Sequence, residues 1–447
     1  MPADSIAVIG NPPWLMAGYY VDDDALEYLR SRFASASGKF DMYYVFIERA
    51  LELIRPNGIV GMIVPNKMFH TRAARELRRI LTAGSWLVDV MDFGTARVFE
   101  SATNYSAIIQ LSRNATAPVH VSRADANLRI TEQFDIGRSA LDENPWYFHP
   151  RPITKLFSTM EAAGTPLEEL ADRFGTGVQT GADTILTFDV AEARSEGFES
   201  DLLTPILRGR DVRRYSLTDS PRLLVFPYVE EEEWAVMPES VFKLHPVTYQ
   251  FLVNHKQHLA ERTWFGKTAS ELSGHWYGLM YLDAPSSFRS PHLLTPSLSA
   301  RSNFALGTGS LFATGTAGVT SIIPKDDVRE DIYYLLALLN SRLLSYYLIQ
   351  HSPVYQGGYH KFSAPYLKAA PIRRINFTSV ADKRQHDRLV SLAKTLIDLY
   401  SRVGGAKTPQ AHVTTTRQIA ACEGETDQLV YGLYGVNEDE LQTIEGF

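Results

Sequence analysis

The sequence predicts an α/β fold over residues 1–115 and a mixed α+β domain over residues 151–447, with residues 116–150 as a connector. Two observations carry this. Short apolar runs alternate with helix-spaced segments up to about residue 112, and the pattern then gives way to interleaved Pro, Gly and aromatic residues. Ser5–Gly10 reads as a β-rich run ending at Asn11-Pro12-Pro13-Trp14. Phe40–Ile54 places Tyr43, Phe46, Ile47, Ala50, Leu51 and Ile54 at helical spacing, and Pro56-Asn57-Gly58 stops that helix. Ile59–Val64 is a continuous apolar run, as expected for a parallel strand buried on both faces. Thr71–Leu81 reads as a basic amphipathic helix, Trp86–Phe93 and Tyr105–Leu111 as strands. Strands separated by helices imply a parallel-type sheet with crossovers. Beyond the connector come a short helix at 154–163, mixed β and loop to 325, one apolar helix at 331–349 and a long helix near 379–403. A loose tail at 404–424 and a helix at 425–434 follow.

Composition narrows the function classes. Hydrophobic residues make up 45% and charged residues 21% of the 447, ordinary for a soluble globular protein. Cys422 is the single cysteine, which excludes a disulfide framework and a cysteine-built zinc site and fits a reducing cytoplasm. The first residues lack the basic segment of a signal peptide, and no apolar stretch reaches membrane-spanning length; Asn340 and Arg342 interrupt the longest. The net charge of −7 argues against a general polyanion binder, because phosphate neutralisation dominates non-specific affinity. A DNA-binding face then requires segregated charge. The stretch 208–222 is strongly basic, and Glu230–Glu233 is an acidic face expected elsewhere. Asp22-Asp23-Asp24 is read as solvated or capping rather than metal-binding, and no histidine pair has zinc spacing.

Asn11-Pro12-Pro13-Trp14 carries the chemistry. The lone pair of an exocyclic amine on adenine is delocalised into the ring. Two hydrogen-bond acceptors on the amino hydrogens pull the nitrogen towards tetrahedral geometry and free that pair. The Asn11 side-chain oxygen and the Pro12 carbonyl can be those acceptors. Pro12 and Pro13 have fixed φ and no N–H, so the turn is stiff and presents carbonyls. Trp14 offers a face on which an unstacked base can lie. The alternative is a strand-ending proline turn with a buried tryptophan. Position at the carboxyl end of a strand, where α/β sheets bind ligands, favours the functional reading.

On these residues the chain resembles the gamma-class, TaqI-like N6-adenine DNA methyltransferases of restriction–modification systems. GKFDMYYVFIERALELIRPNGIVGMIVPNKMF (38–69) and VMDFGTARVFESATNYSAIIQLSR (90–113) are similar to the segments that follow the family's catalytic motif. GTGVQTGAD (175–183), LLTPILRGRDVRRY (202–215), LLALLNSRLLSYYL (335–348), YHKFSAPYLKAAPI (359–372) and TDQLVYGLYGV (426–436) resemble its DNA-specificity domain. The resemblance implies a partial Rossmann-like methyltransferase sheet followed by a mixed α+β TaqI-like DNA-specificity domain. It implies methyl transfer from S-adenosylmethionine to a flipped adenine in double-stranded DNA, in restriction–modification or anti-phage defence. It also implies that Phe99 touches the adenine edge-on.

One departure stands out. The family's glycine-rich S-adenosylmethionine loop precedes the catalytic motif, and only ten residues precede Asn11 here. Phe174-Gly175-Thr176-Gly177 does not open a helix, Gly307–Gly318 leads into a strand, and Gly266-Lys267-Thr268 lacks the first P-loop glycine, Glu261 standing there. The expectation is a split enzyme in which a second polypeptide carries the cofactor half, with a nuclease or other defence subunit as a further possible partner. A non-catalytic DNA-recognition subunit is the alternative, and a methyltransferase acting on RNA or protein a third reading. Arg208, Arg210, Arg213 and Arg214 are the expected DNA contacts, each weighed against pairing with Asp211 or Asp219. Tyr355, Tyr359, His360 and Lys361, on a glycine loop, are the expected contacts to a distorted duplex.

Overall fold

The computed structural model describes residues 5–99, 104–219, 221–230, 233–307, 309–315, 317–355, 357–406 and 408–445. They form two compact units, one within residues 1–157 and 353–357, the other within 158–352 and 358–447. The acidic stretch at 230–233 falls partly outside the described residues.

The first unit is an α/β sheet. Strand β1 (Ser5–Gly10) leads through helices α1 (Ala17–Tyr20) and α2 (Asp23–Arg32) to α3 (Met42–Leu53). Asp22 caps α2 by accepting from the Ala25 N–H at 2.8 Å, the capping role that its acidic run suggested. Strand β2 (Ile54–Pro65), helix α4 (Arg75–Ala83), and strands β3 (Leu87–Asp92) and β4 (Ser106–Ser112) follow. The last two strands are β5 (Val119–Ala124) and β6 (Ile130–Ile136). The sheet order is β1-β2-β4-β3-β5-β6. β1 and β2 are parallel, as are β3 and β5, while β4 runs antiparallel between β2 and β3.

Two expectations are corrected here. The sheet is mixed rather than all parallel. α4 carries the crossover from β2 to β3, whereas β3 and β4 are joined without a described helix and pair antiparallel. The stretch read as a connector supplies β5 and β6, whose period-two alternation, with Val119 and Val121 buried, fits a sheet margin.

The core lies on one face. Val60, Met62 and Val64 of β2 pack with Tyr43, Ile47 and Leu51 of α3 and with Leu77 and Leu81 of α4. Burying each such side chain contributes about 1.5–3 kcal/mol. The opposite face differs from the expected two-sided burial. Ala7 pairs with Ile59 and Ile9 with Gly61, so Ile9 and Ile59 share that face; they are 86% and 42% exposed.

The second unit holds two four-stranded sheets and a helical C-terminal part. In one sheet, strand Leu203–Leu207 lies between Arg222–Val225 and Leu311–Phe312. In the other, His292–Pro296 lies between Ala305–Gly307 and Val319–Pro324. The apolar run expected as one helix is two, Ile332–Asn340 and Arg342–Gln350, bent by 65°. Ser341 stops the first and caps the second by accepting from the Leu344 N–H, while the Asn340 side chain bonds both backbone groups of Phe304. No single described helix is long and apolar enough to cross a membrane. The tail read as loose is a 26-residue helix, Pro409–Tyr434, capped by Thr408 and packed on helix Val380–Gly404. Its buried stripe includes Thr415, Ile419, Thr426 and Val430, in which threonines hide the apolar period.

Candidate active site and nucleic-acid interface

The carboxyl ends of β1, β2 and β3 open on one edge of the sheet, since these three strands run the same way. Asn11-Pro12-Pro13-Trp14 leaves β1 there, Asn66 and Lys67 leave β2, and the segment from Phe93 to Phe99 leaves β3.

The Asn11–Trp14 turn is held from below. The Met42 N–H donates to the Leu15 carbonyl at 2.7 Å, and the Ala17 N–H to the Phe40 carbonyl at 3.0 Å. Asp41, buried, pairs with Lys67 Nζ at 2.9 Å, so the segment that braces the turn is tied to the end of β2. Pro12 is buried, Asn11 exposed and Trp14 half-buried against the core. The Trp14 and Phe99 rings meet edge to face, with centroids 5.6 Å apart and planes at 72°.

Residues that sequence reasoning passed over position the Phe99 segment. Asn66 Nδ2 donates to Asp92 Oδ1 at 3.0 Å and to the Gly94 carbonyl at 3.1 Å. Asp92 Oδ1 also accepts from the Gly94 N–H at 3.0 Å. Burial pushes the Asp92 carboxyl up, and these two donors pull in the opposite direction. The Arg78 guanidinium reaches the carbonyls of Met68 (2.7 Å), Thr71 (2.9 Å) and Glu143 (3.2 Å), fixing the turn after β2. The available signal was a polar pair, Asn66-Lys67, at the end of an apolar strand.

The expected DNA contacts separate into groups. Arg210 and Arg213 are exposed and line one cleft of the second unit with Tyr359. Arg208 is held back: its Nη2 donates to Thr187 Oγ1 at 2.7 Å and lies 3.5 Å from Asp183. Arg214 corrects the expectation. It is buried, with its guanidinium on Glu423 and on the Asn340 carbonyl, so it ties the basic loop to the helices and presents no charge to a ligand. His360 and Lys361 are half-buried, and burial lowers both. Tyr355 is exposed but belongs to the first unit. Arg301 and Asn303, which line the same cleft, were missed; their signal was a polar run, Ser299–Asn303, inside an apolar region.

Two family models match parts of this chain. Residues 7–99 match the Eco57I restriction-modification methylase model, and residues 204–372 the TaqI-like C-terminal specificity domain. The chain carries an Eco57I-type methylase domain and a TaqI-like specificity domain. The methylase domain contains the Asn11–Trp14 turn and Phe99, and the specificity domain contains the arginine cleft. The type II restriction enzyme and methyltransferase RM.Eco57I of Escherichia coli is 24% identical over 98% of this chain, and the chain spans 47% of that protein's length. The type II methyltransferase M.PaeR7I of Pseudomonas aeruginosa is 23% identical over 98% of this chain and 72% of its own length. The fold is shared with the type IIL restriction-modification enzyme MmeI, solved in complex with DNA, at a TM-score of 0.65 and 12% identity. That match covers 99% of this chain and 57% of MmeI.

Neither glycine-rich stretch singled out in the sequence forms a cofactor loop among the described residues. Phe174–Gly177 links strand Ala171–Gly175 to strand Val178–Gln179, and the glycines from 307 to 318 likewise lie among strands. Neither presents the helix N-terminus that a cofactor loop needs.

Proposed function

We propose that this chain holds the target base and reads the DNA for site-specific methyl transfer to adenine N6. The observation that carries the reading is the Asn11–Trp14 turn at the carboxyl end of β1, with Trp14 braced edge-on by Phe99. Asn11 Oδ1 and the Pro12 carbonyl accept the two amino hydrogens of a flipped adenine and free its lone pair. Trp14 and Phe99 hold the ring, which offsets the few kcal/mol of unstacking. The reaction needs no covalent nucleophile from this chain. Arg210, Arg213 and Tyr359 engage the duplex. The setting that fits these domains is restriction–modification and anti-phage defence.

The methyl donor, S-adenosylmethionine, belongs in this account to a further half-domain that pairs with β1. Among the described residues β1 is paired on one side only, and Ile9 and Ile59 leave an apolar face beside that open edge. Such an edge is a site for pairing with another chain unless it is blunted or covered. Copurification from the native source tests whether the cover is a second polypeptide, alone or with a nuclease. Methyl transfer to duplex DNA is then assayed with this chain alone and with its complement. Activity only in the presence of the complement is expected. Methyl transfer by the 447-residue chain alone would overturn the divided arrangement.

A further inference from the structure

The cleft of the specificity domain encloses about 480 Å³. That is room for one nucleotide-sized group. Its rim carries three arginines. Arg210 has its nearest carboxylate, Asp211, at 4.0 Å with its own side chain 65% exposed; Arg213 is exposed and donates to the backbone carbonyls of Gly209 (3.2 Å) and Val212 (2.8 Å). Arg301 is exposed and has no ion-pair partner among the described residues. In a chain of net charge −7, three exposed guanidinium groups around one concavity, with Asp211 beside only one of them, mark an anion-binding surface.

Asn303 adds a second feature. Its Nδ2 donates to Ser299 Oγ at 2.9 Å, and Ser299 Oγ donates to the Arg301 carbonyl at 2.6 Å. Because the serine proton is committed to that carbonyl, its oxygen can only accept, which fixes the amide end of Asn303. One N–H and the Oδ1 acceptor of Asn303 are left over. Ser299 is itself buried and held in a strand by pairing with His360, so the amide is pre-set rather than free to rotate. An oriented N–H and C=O pair matches the N7 acceptor and N6 donor of adenine in the major groove.

We propose that Asn303 is a specificity-determining residue that reads an adenine in the recognition sequence, distinct from the adenine that is flipped, while Arg210, Arg213 and Arg301 hold the flanking phosphates. This rests on the DNA-reading role proposed above, and the test separates the two. The full chain is used to select duplexes from a randomised library, and the bound pool is sequenced, with no methyl transfer required. The wild-type chain is expected to enrich a motif. Asn303→Ala is expected to lose preference at one A·T pair of that motif, by about tenfold, with the other positions intact. Ser299→Ala, which frees the amide without removing it, is expected to blur the same position partially. Arg301→Ala is expected to weaken binding to all sequences alike and to reduce the salt dependence by about one ion. A wild-type motif retained at every position by both Asn303→Ala and Ser299→Ala would overturn the inference alone. No motif from the wild-type chain would overturn the DNA-reading role and this inference with it.

Discussion

Trp14 and Phe99 meet edge to face at 5.6 Å although they leave different strands, so this aromatic pair forms only when the ends of β1 and β3 come together. Stacking of a base on an aromatic ring is worth about 1–3 kcal/mol. Trp14→Ala is therefore expected to lower methyl transfer by about 10- to 100-fold, with Trp14→Phe intermediate. With 2-aminopurine at the target position, the fluorescence rise on flipping should shrink in the same order. An unchanged rise in Trp14→Ala would remove this residue from the pocket.

The bonds from Asn66 to Asp92 and Gly94 hold the start of the segment that carries Phe99. Losing them is expected to cost about 1–2 kcal/mol of stability. Asn66→Ala should also reduce kcat more than it raises KM for DNA, because the ring is misplaced while the DNA-reading residues are untouched. Equal kinetics in Asn66→Ala and wild type would show that the clamp is structural only.

Arg214 and Arg210 are expected to behave oppositely, although four residues apart. Removing a buried charge partner is costly, so Arg214→Ala should lose about 3 kcal/mol in denaturant unfolding. Its salt dependence of DNA binding should match the wild type. Arg210→Ala should keep wild-type stability and lose about one unit of the salt slope. The two variants exchanging these behaviours would contradict the assignment.

His351 is stacked on Tyr347 with ring centroids 4.1 Å apart, and burial pushes its pKa down to about 4. Its Nδ1 lies 2.8 Å from the Tyr347 carbonyl. The unfolded chain takes up this proton near pH 6.5 and the folded chain does not, so stability is lost as pH falls from about 6.5 to about 4. The loss amounts to about 3 kcal/mol at most. Unfolding free energy measured across that window should be flatter in His351→Asn. An equal slope in the two proteins would show that other groups set the acid limb.

The site was legible in the sequence where chemistry and position coincide. Asn11–Trp14 directly follows an apolar run, and the structure places it at a strand's carboxyl end. Phe99 was reached through the family resemblance, and the structure sets its ring edge to face with Trp14. What periodicity does not carry is burial and strand direction. Arg214 and Arg210 look alike in a basic run, and only the distant Glu423 and Asn340 draw one of them inward. Asn66 and Asp92 are 26 residues apart and are joined by the sheet order. The Pro409–Tyr434 helix was hidden by threonines that alternate between its buried and exposed faces.

The most direct test is transfer of a labelled methyl group from S-adenosylmethionine to duplex DNA by this chain with its complement, comparing wild type with Asn11→Ala. The account predicts label in N6-methyladenine for the wild type. It predicts a loss of about 100-fold or more for Asn11→Ala, comparable to removing one polar group from a pre-organised site, with the selected DNA motif unchanged. Wild-type transfer by Asn11→Ala, or label on a base other than adenine, would contradict it.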